Sequence, residues 1–499
     1  YPDSIGTGLR DLERFLTTRL SGAVTGVHIL PFYPSSGDRG FAPLTYTEVA
    51  PEFGTWDDIR SIAARFDLTA DFMINHISRR SRYFTDFLAR GEESPYADMF
   101  IRFSRFWPGG EPGPGDLEAV YTRKPRPPFV EVDLPGGSDA EGGAASSGLG
   151  GKREKVWCTF DEEQIDLDLS APVTREFVAE SLRFLCGMGV KMIRLDAFAY
   201  AVKKPGTGCF FVEPDVWEIL DFARRTVEPF GVEVLPEVHE HHSIQLAIAG
   251  RGYPVYDFAL PMLVLQAIYD GNAGNLKAWL RKAPRRQFTT LDTHDGIGVV
   301  DVAGLMSGGE IRRTVDNLYA RGANVKRIYN TGDYGNLDIY QLNCTYYSAL
   351  GDDDDRYLLA RAIQFFTPGI PQVYYVGLLA GKNDIGLLER TRVGRNINRH
   401  CYSVEEAEGE LARPVVRRLL ALMRFRGSFP AFSGEFLLRE TAAGELRIAW
   451  RKDDWETELS ADLAEGKFRI FRSVQTEAGP GGRPSSRTGG MVPLDLDQT

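Results

Sequence analysis

Val190-Lys-Met-Ile-Arg-Leu-Asp196 is the stretch on which the fold class turns. It is mostly apolar, as a buried strand is, and it stops at a carboxylate. Residues two apart on a strand share a face, so Met192, Arg194 and Asp196 point one way and Ile193 and Leu195 the other. With the apolar face packed on helices, Arg194 and Asp196 project together into a barrel or a cleft. An arginine beside an aspartate favours the ionised carboxylate that a nucleophile needs at neutral pH. A structural ion pair at a strand end has the same appearance, so the neighbouring sequence has to decide.

Outward from this stretch, helical and strand-like segments alternate. A helix over 172–188 precedes it, and a helix over 214–228 leads to Gly231-Val-Glu-Val-Leu-Pro-Glu237. Further on come Pro254–Leu260, a helix near 273–282, Gln287–Asp295, a helix over 354–366, Pro371–Gly377 and a long helix near 413–426. Upstream lie a helix over 7–20, the strand Thr25–Phe32, a Gly- and Ser-rich loop over Pro34–Phe41, a helix near 55–66 and the strand Ala70–His76. Such alternation predicts a parallel α/β fold. Seven parallel-type strands are visible, one short of an eight-stranded barrel, and the missing one is expected just before Tyr1. Polar residues recur at strand C-terminal ends (His76, Asp196, Glu237, Asp295), which favours a (β/α)8 TIM barrel over an open doubly wound sheet.

The rhythm breaks twice. The expected division is a barrel start over 1–76, an inserted domain over 77–160 and a barrel section with the carboxylates over 161–296. A second insert over 297–350, the barrel end over 351–430 and a C-terminal antiparallel β domain over 431–499 follow. Residues 135–151 and 474–499, rich in Gly, Pro and Ser, are expected to be poorly ordered.

Composition narrows the class. With 58 Lys plus Arg against 69 Asp plus Glu, the net charge is −11, which argues against nucleic acid or an anionic membrane as partner. The five cysteines lack any CxxC pair, so reduced core thiols of a cytoplasmic enzyme are expected rather than a disulfide framework. No signal peptide and no membrane-length apolar run is visible. The chain begins Tyr1-Pro2-Asp3-Ser4 without a methionine, so the missing leader carries little weight. His239-Glu-His241-His242 lacks i,i+4 metal-ligand spacing, and no metal or cofactor is expected. Asp352–Asp355, directly before a helix, suit its N-terminal dipole.

Three carboxylates end three strands: Asp196, Glu237 in Leu-Pro-Glu-Val-His239, and Asp295 in Asp-Thr-His-Asp-Gly-Ile-Gly298. An ionised carboxylate and a protonated one are the minimum apparatus for retaining glycosyl transfer, at a separation of roughly 5–5.5 Å. Arg194 favours the charged form of Asp196, whereas the apolar Val-Leu-Pro run before Glu237 is expected to disfavour its charged form.

Taken together, Gly40-Phe41, Asn75-His76, Glu163-Gln-Ile-Asp166, Arg194-Leu-Asp196-Ala197, Glu237-Val-His239, Leu291–Gly298, Tyr340–Tyr347 and Asn398-Arg399-His400 resemble the alpha-amylase superfamily of glycoside hydrolases, most nearly its sucrose phosphorylase branch. The resemblance spans about residues 1–450. It implies Asp196 as nucleophile, Glu237 as acid/base and Asp295 as the transition-state stabiliser that grips sugar hydroxyls. It also implies a glucose pocket lined by Asp38, Phe41, His76, Gln164, Arg194, His294 and Arg399.

Those carboxylates serve hydrolase and phosphorylase alike, so charge near the acceptor has to discriminate. Basic clusters stand in both inserts, Arg123, Lys124 and Arg126 in the first and Arg321, Lys326 and Arg327 in the second, where cations would orient an oxyanion; solvated loop charge is the plainer explanation. By the resemblance, Arg123 occupies a place where enzymes for plain sucrose usually carry proline, and Arg321-Gly-Ala-Asn324 looks like the group acting on sucrose 6'-phosphate. Tyr340 instead matches enzymes for plain sucrose, and Arg123, Lys124, Tyr340 and Gln341 are the expected acceptor-side residues. The expectation is phosphorolysis of sucrose 6'-phosphate, or of sucrose, with a sugar and inorganic phosphate as partners and a homodimer as the assembly to test. Other glucoside phosphorylases, of the glucosylglycerol or glucosylglycerate kind, and a hydrolase or glucosyltransferase using the same intermediate are the alternatives. A sugar-binding scaffold without turnover needs one of the carboxylates missing, and none is.

Overall fold

The computed structural model describes residues 1–122, 126–135, 152–323, 340–474 and 490–497. The chain divides into two compact units. One comprises Tyr1–Asp3, Thr7–Glu13 and Gly26–Val238; the other comprises Ser4–Gly6, Arg14–Thr25 and His239–Thr499.

In the first unit, four strands form one parallel sheet in the order Gly26–Ile29, Asp67–Met73, Met192–Asp196, Glu233–Pro236. Sequence order and spatial order agree because each return passes through a helix: Trp56–Ala63, Pro172–Gly187 and Asp215–Val227. Crossover helices are how parallel strands are joined. Pro172 starts its helix at a position where a missing N–H costs nothing. Leu68, Ala70, Ile193 and Leu195 are buried to 0% exposure, so the strand faces meant for the core are there.

The insert after residue 77 begins with the helix Arg82–Arg90 and includes an antiparallel hairpin, Phe129–Leu134 with Lys152–Trp157. Its core is aromatic: Phe103, Trp107 and Trp157, with Phe106 and Phe129 packed against them. A second ladder, His76–Ser78 against Gln164–Asp166, ties this insert back to the end of the Asp67–Met73 strand. Lys203, buried among them, donates from Nζ to Asn75 Oδ1 at 2.8 Å and lies 2.8 Å from Asp166 Oδ2, with the Tyr200 carbonyl as a third oxygen.

The second unit contains three further parallel strands in the order Val255–Asp257, Gln287–Thr290, Ile370–Gln372. The seven parallel strands of the sequence reading are thus all present. Most of them are shorter than expected, and in two a helix follows closely. The segment Pro254–Leu260 leaves the sheet after Asp257, and a helix, Leu260–Asp270, begins at once. That helix is buried on nearly every side, so it shows no amphipathic period to find. Likewise Pro371–Gly377 is strand only to Gln372 and then turns into the helix Tyr375–Leu378.

The insert over 297–350 is also less irregular than expected, since it contains the helix Gly308–Ala320. Ser307 and Glu310 form a reciprocal capping box at its start, and Ser-x-x-Glu is a signal the sequence displays openly. Asp353 caps the helix Asp354–Phe366 by accepting from the Arg356 N–H, the helix-start role expected of the acidic run.

The chain ends in a five-stranded antiparallel sheet, Glu435–Leu438, Glu445–Lys452, Trp455–Asp462, Lys467–Ser473 and Met491–Pro493. Of the tail expected to be poorly ordered, 475–489 and 498–499 lie outside the described residues, and Met491–Pro493 is a strand paired with Phe471–Ser473. All five cysteines are free thiols, four of them buried. Among the described residues, no helix is long and apolar enough to cross a membrane.

Candidate active site

Strand register brings the first group of residues together. Met192–Asp196 lies between its two parallel neighbours, with Arg194 opposite Asp71 on one side and opposite Leu235 on the other. Arg194 is 3% exposed. Its Nη1 donates to Asp196 Oδ1 at 2.9 Å and to Asp71 Oδ1 at 2.5 Å, and its Nη2 stands 3.6 Å from Glu237 Oε1. A planar guanidinium can serve several oxygens at once where an ammonium cannot. The expected Arg194–Asp196 pair is present, and one cation also holds Glu237 beside it.

The backbone contributes as well. Ala197, next after Asp196, sits in the left-handed region (φ 54, ψ 30), an uncommon conformation for a residue with a Cβ. The turn it makes directs its N–H onto Glu237 Oε2 at 3.2 Å. The surroundings of Glu237 therefore differ from the apolar setting expected from Val-Leu-Pro: those residues are buried, but the carboxylate itself meets a backbone donor and a guanidinium.

Asp71 was not legible as a partner. It stands inside an apolar strand, fully buried, and a buried carboxylate must have donors. That rule was available from sequence; which cation would answer it, 123 residues away, was not.

His76, Gln164 and Phe41 converge in the same unit. His76 Nε2 is 2.9 Å from the Phe41 carbonyl, which also accepts from Gln164 Nε2 at 2.8 Å, and Gln164 Nε2 lies 3.0 Å from His76 Nε2. His76 and Gln164 sit at opposite ends of the short ladder His76–Ser78 with Gln164–Asp166. Gly40, just before Phe41, has φ 103, and a Cβ there would stand 2.6 Å from the Pro31 carbonyl, so only glycine fits. Asp38 lies in the turn Asp38–Gly40.

The second unit holds Asp295. Burial alone raises a carboxyl's pKa, but Arg395, His294, His239 and Arg399 outweigh it and hold Asp295 well below the usual carboxylate range. Arg395 Nη1 is 3.1 Å from Asp295 Oδ1, while His294 Nε2 and His239 Nε2 are 3.8 and 3.9 Å from Oδ2. The Arg399 Nε–H donates to the His294 carbonyl at 2.9 Å, and Asn398 Nδ2 donates to the carbonyls of Thr293 and Asp295. Asn398-Arg399 thus fixes the backbone of the 293–295 loop. A Cβ at Gly298 would fall 2.0 Å from Asp301 Oδ2, so a larger residue there requires that side chain to move.

Tyr340 and Gln341 fall beside the same loop. The Tyr340 hydroxyl donates to the His239 carbonyl at 3.2 Å, and Gln341 pairs with Gly298 in the ladder Ile297–Gly298 with Gln341–Leu342. Arg395 was missed: the run Arg390–Arg399 carries several arginines, and nothing local singles this one out. Arg123 and Lys124 of the first basic cluster and Lys326 and Arg327 of the second lie outside the described residues. Of their clusters, Arg126 turns to Cys158 Sγ and the Phe129 carbonyl, and Arg321 to Asn317 and the face of Tyr269.

The model of the alpha-amylase catalytic domain matches residues 21–209. The chain is 51% identical to a sucrose phosphorylase of Streptococcus mutans over 95% of this chain and 97% of that protein. It is 46% identical to a glucosylglycerol phosphorylase of Marinobacter adhaerens over 96% of each. The crystal structure of sucrose 6F-phosphate phosphorylase from Thermoanaerobacter thermosaccharolyticum matches with a TM-score of 0.88 at 46% identity, over 95% of this chain and 94% of that one. The fold class is accordingly a (β/α)8 barrel with a C-terminal antiparallel β domain. The chain belongs to the alpha-amylase family, among its sucrose phosphorylase-like glucoside phosphorylases.

Proposed function

We propose that the protein is a retaining glucosyl phosphorylase that converts sucrose 6'-phosphate, or sucrose, and phosphate to alpha-D-glucose 1-phosphate and fructose 6-phosphate, or fructose. One observation carries this reading: Asp196 accepts from Nη1 of a buried guanidinium whose Nη2 stands 3.6 Å from Glu237 Oε1, which supports the two carboxylates' serving one glycosidic bond.

In the first step an Asp196 oxygen attacks C1 of the glucosyl unit from the face opposite the leaving group. The C1–O bond breaks as Glu237 gives its proton to the departing oxygen, leaving a β-glucosyl ester on Asp196. In the second step a phosphate oxygen attacks C1, Glu237 takes the phosphate's proton, and the ester bond to Asp196 breaks. Two inversions give net retention. Asp295, kept anionic by its cations, is assigned to the sugar hydroxyls, where it stabilises the positive charge that grows at C1. Asp38, Phe41, His76, Gln164, Arg194, His294 and Arg399 are assigned to the glucose pocket. Arg123, Lys124, Tyr340 and Gln341 are assigned to the acceptor side.

Fructose 6-phosphate is the preferred leaving group on this reading because Arg123 and Arg321-Gly-Ala-Asn324 resemble, in sequence, the group acting on sucrose 6'-phosphate. Plain sucrose is the second reading, favoured by Tyr340 and by the 51% identity to a sucrose phosphorylase. The test is incubation with each sugar, with and without inorganic phosphate. Strict phosphate dependence, release of alpha-glucose 1-phosphate and a higher kcat/KM on sucrose 6'-phosphate are expected. Sugar hydrolysis at equal rate without phosphate would overturn the phosphorylase, and a higher kcat/KM on sucrose would hand the leaving group to the second reading.

A further inference from the structure

His28 takes no part in the chemistry above, yet it is joined to it by short contacts. It lies on the strand Gly26–Ile29, opposite Thr69 of the neighbouring strand. Its Nε2 is 2.8 Å from Asp71 Oδ2. The other oxygen of Asp71 takes Arg194 Nη1, and that same nitrogen donates to Asp196 Oδ1. Three adjacent strands thus carry a continuous chain of four side chains: His28, Asp71, Arg194, Asp196.

Arg194 Nη1 has two hydrogens, one for each aspartate. A carboxylate beside a guanidinium prefers the bidentate arrangement, with both oxygens on parallel N–H bonds. Here the imidazole engages Asp71 Oδ2 while Oδ1 takes Arg194 Nη1. We propose that His28 is a positioning residue for the nucleophile. By holding Oδ2, it fixes the rotation of the Asp71 carboxylate and, through Oδ1, the orientation of the guanidinium whose Nη1 also donates to Asp196. Without the imidazole, the Asp71 carboxylate is free to rotate, the guanidinium turns with it away from Asp196, and the attacking oxygen loses its alignment with C1.

The inference rests on the assignment of Asp196 as nucleophile. Its test compares His28→Gln, whose amide nitrogen reaches where Nε2 stands, with His28→Leu, which fills the space without a donor. Both are assayed for kcat and KM, and for the rate at which a 5-fluoro-glucosyl fluoride labels Asp196, at a temperature where circular dichroism shows each fully folded. The leucine variant should lose about 10- to 100-fold in kcat and in labelling rate with KM nearly unchanged, as small misplacements at a reacting centre do. The glutamine variant should stay within about threefold of wild type, since it keeps the donor. If leucine impairs folding, His28→Asn supplies the comparison: its amide matches Nδ1, falls short of Asp71, and should be slow. Labelling of the leucine or asparagine variant at the wild-type rate overturns the inference, as does a glutamine variant equally slow. Labelling of wild type at a residue other than Asp196 overturns the nucleophile assignment itself, and this inference with it.

Discussion

Arg194 spreads one positive charge over three carboxylates, Asp71, Asp196 and Glu237. Burying several carboxyl groups around one cation is costly, and the left-handed Ala197 beside them adds about 1–2 kcal/mol of backbone strain. Both costs fall beside Asp196, the proposed nucleophile, as expected of a site selected for chemistry rather than stability. Asp196→Asn should therefore abolish turnover, by roughly 10⁴-fold or more, while leaving the thermal midpoint unchanged or higher. Calorimetry beside a phosphorolysis assay checks both halves, and appreciable residual turnover would refute the nucleophile assignment. At this scale, alternation along 190–196 disclosed that Arg194 and Asp196 share a face, because a period of two is written into the residues themselves. Asp71 and Arg395 were hidden, because a pairing across strands or loops depends on register that no local pattern encodes.

Among the elements, the short strand Val255–Asp257 and the helix after it show how burial changes a group's chemistry. Asp257 ends the strand fully buried and caps the helix by accepting from the Leu260 N–H. It also accepts from Trp279 Nε1 and Gln287 Nε2. Burial nevertheless pushes its carboxyl up to about 6, with nearby Asp301 acting in the same sense and the hydrogen bonds opposing. Its folded value exceeds the unfolded one of 3.8, so the native state holds the proton more tightly. The associated stability is fully present below the unfolded value and is lost as pH rises through the folded one. Wild type should lose on the order of 2–3 kcal/mol between about pH 4 and about pH 7 from this group. Asp257→Asn should remove that share of the slope. Urea midpoints across the range decide it, and parallel curves for the two proteins would contradict the assignment. The same element marks a limit of sequence reading. The helix Leu260–Asp270 went unseen because an apolar run buried on nearly every side has no period, whereas Asp354–Phe366 was legible from its acidic start.

For the whole molecule, seven parallel strands and a terminal antiparallel domain were legible because hydrophobic runs alternating with amphipathic ones leave few topologies open. The attachment of that domain was not, since it depends on contacts between residues far apart in sequence. Within the second unit, Trp450 of the strand Glu445–Lys452 donates from Nε1 to the Phe366 carbonyl at 2.9 Å. Arg426 donates to the carbonyls of Phe365 and Gly369 and lies over the rings of Phe432 and Trp450. The helix these contacts reach, Asp354–Phe366, also carries Arg361, fully buried and bonded through Nη2 to both oxygens of Asp292 at 2.9 and 2.7 Å. Asp292 opens the loop that bears His294 and Asp295. The terminal sheet is thereby coupled through one helix to a proposed catalytic carboxylate, although nothing in it approaches that residue in sequence. Trp450→Ala removes a buried aromatic and leaves the Phe366 carbonyl without its donor, at a cost of about 3–5 kcal/mol. If the coupling holds, the variant loses activity and terminal-sheet structure in one transition, shifted to lower temperature. A separate early transition in calorimetry, with activity surviving to the wild-type temperature, would show that the sheet unfolds by itself and that Asp295 does not depend on it.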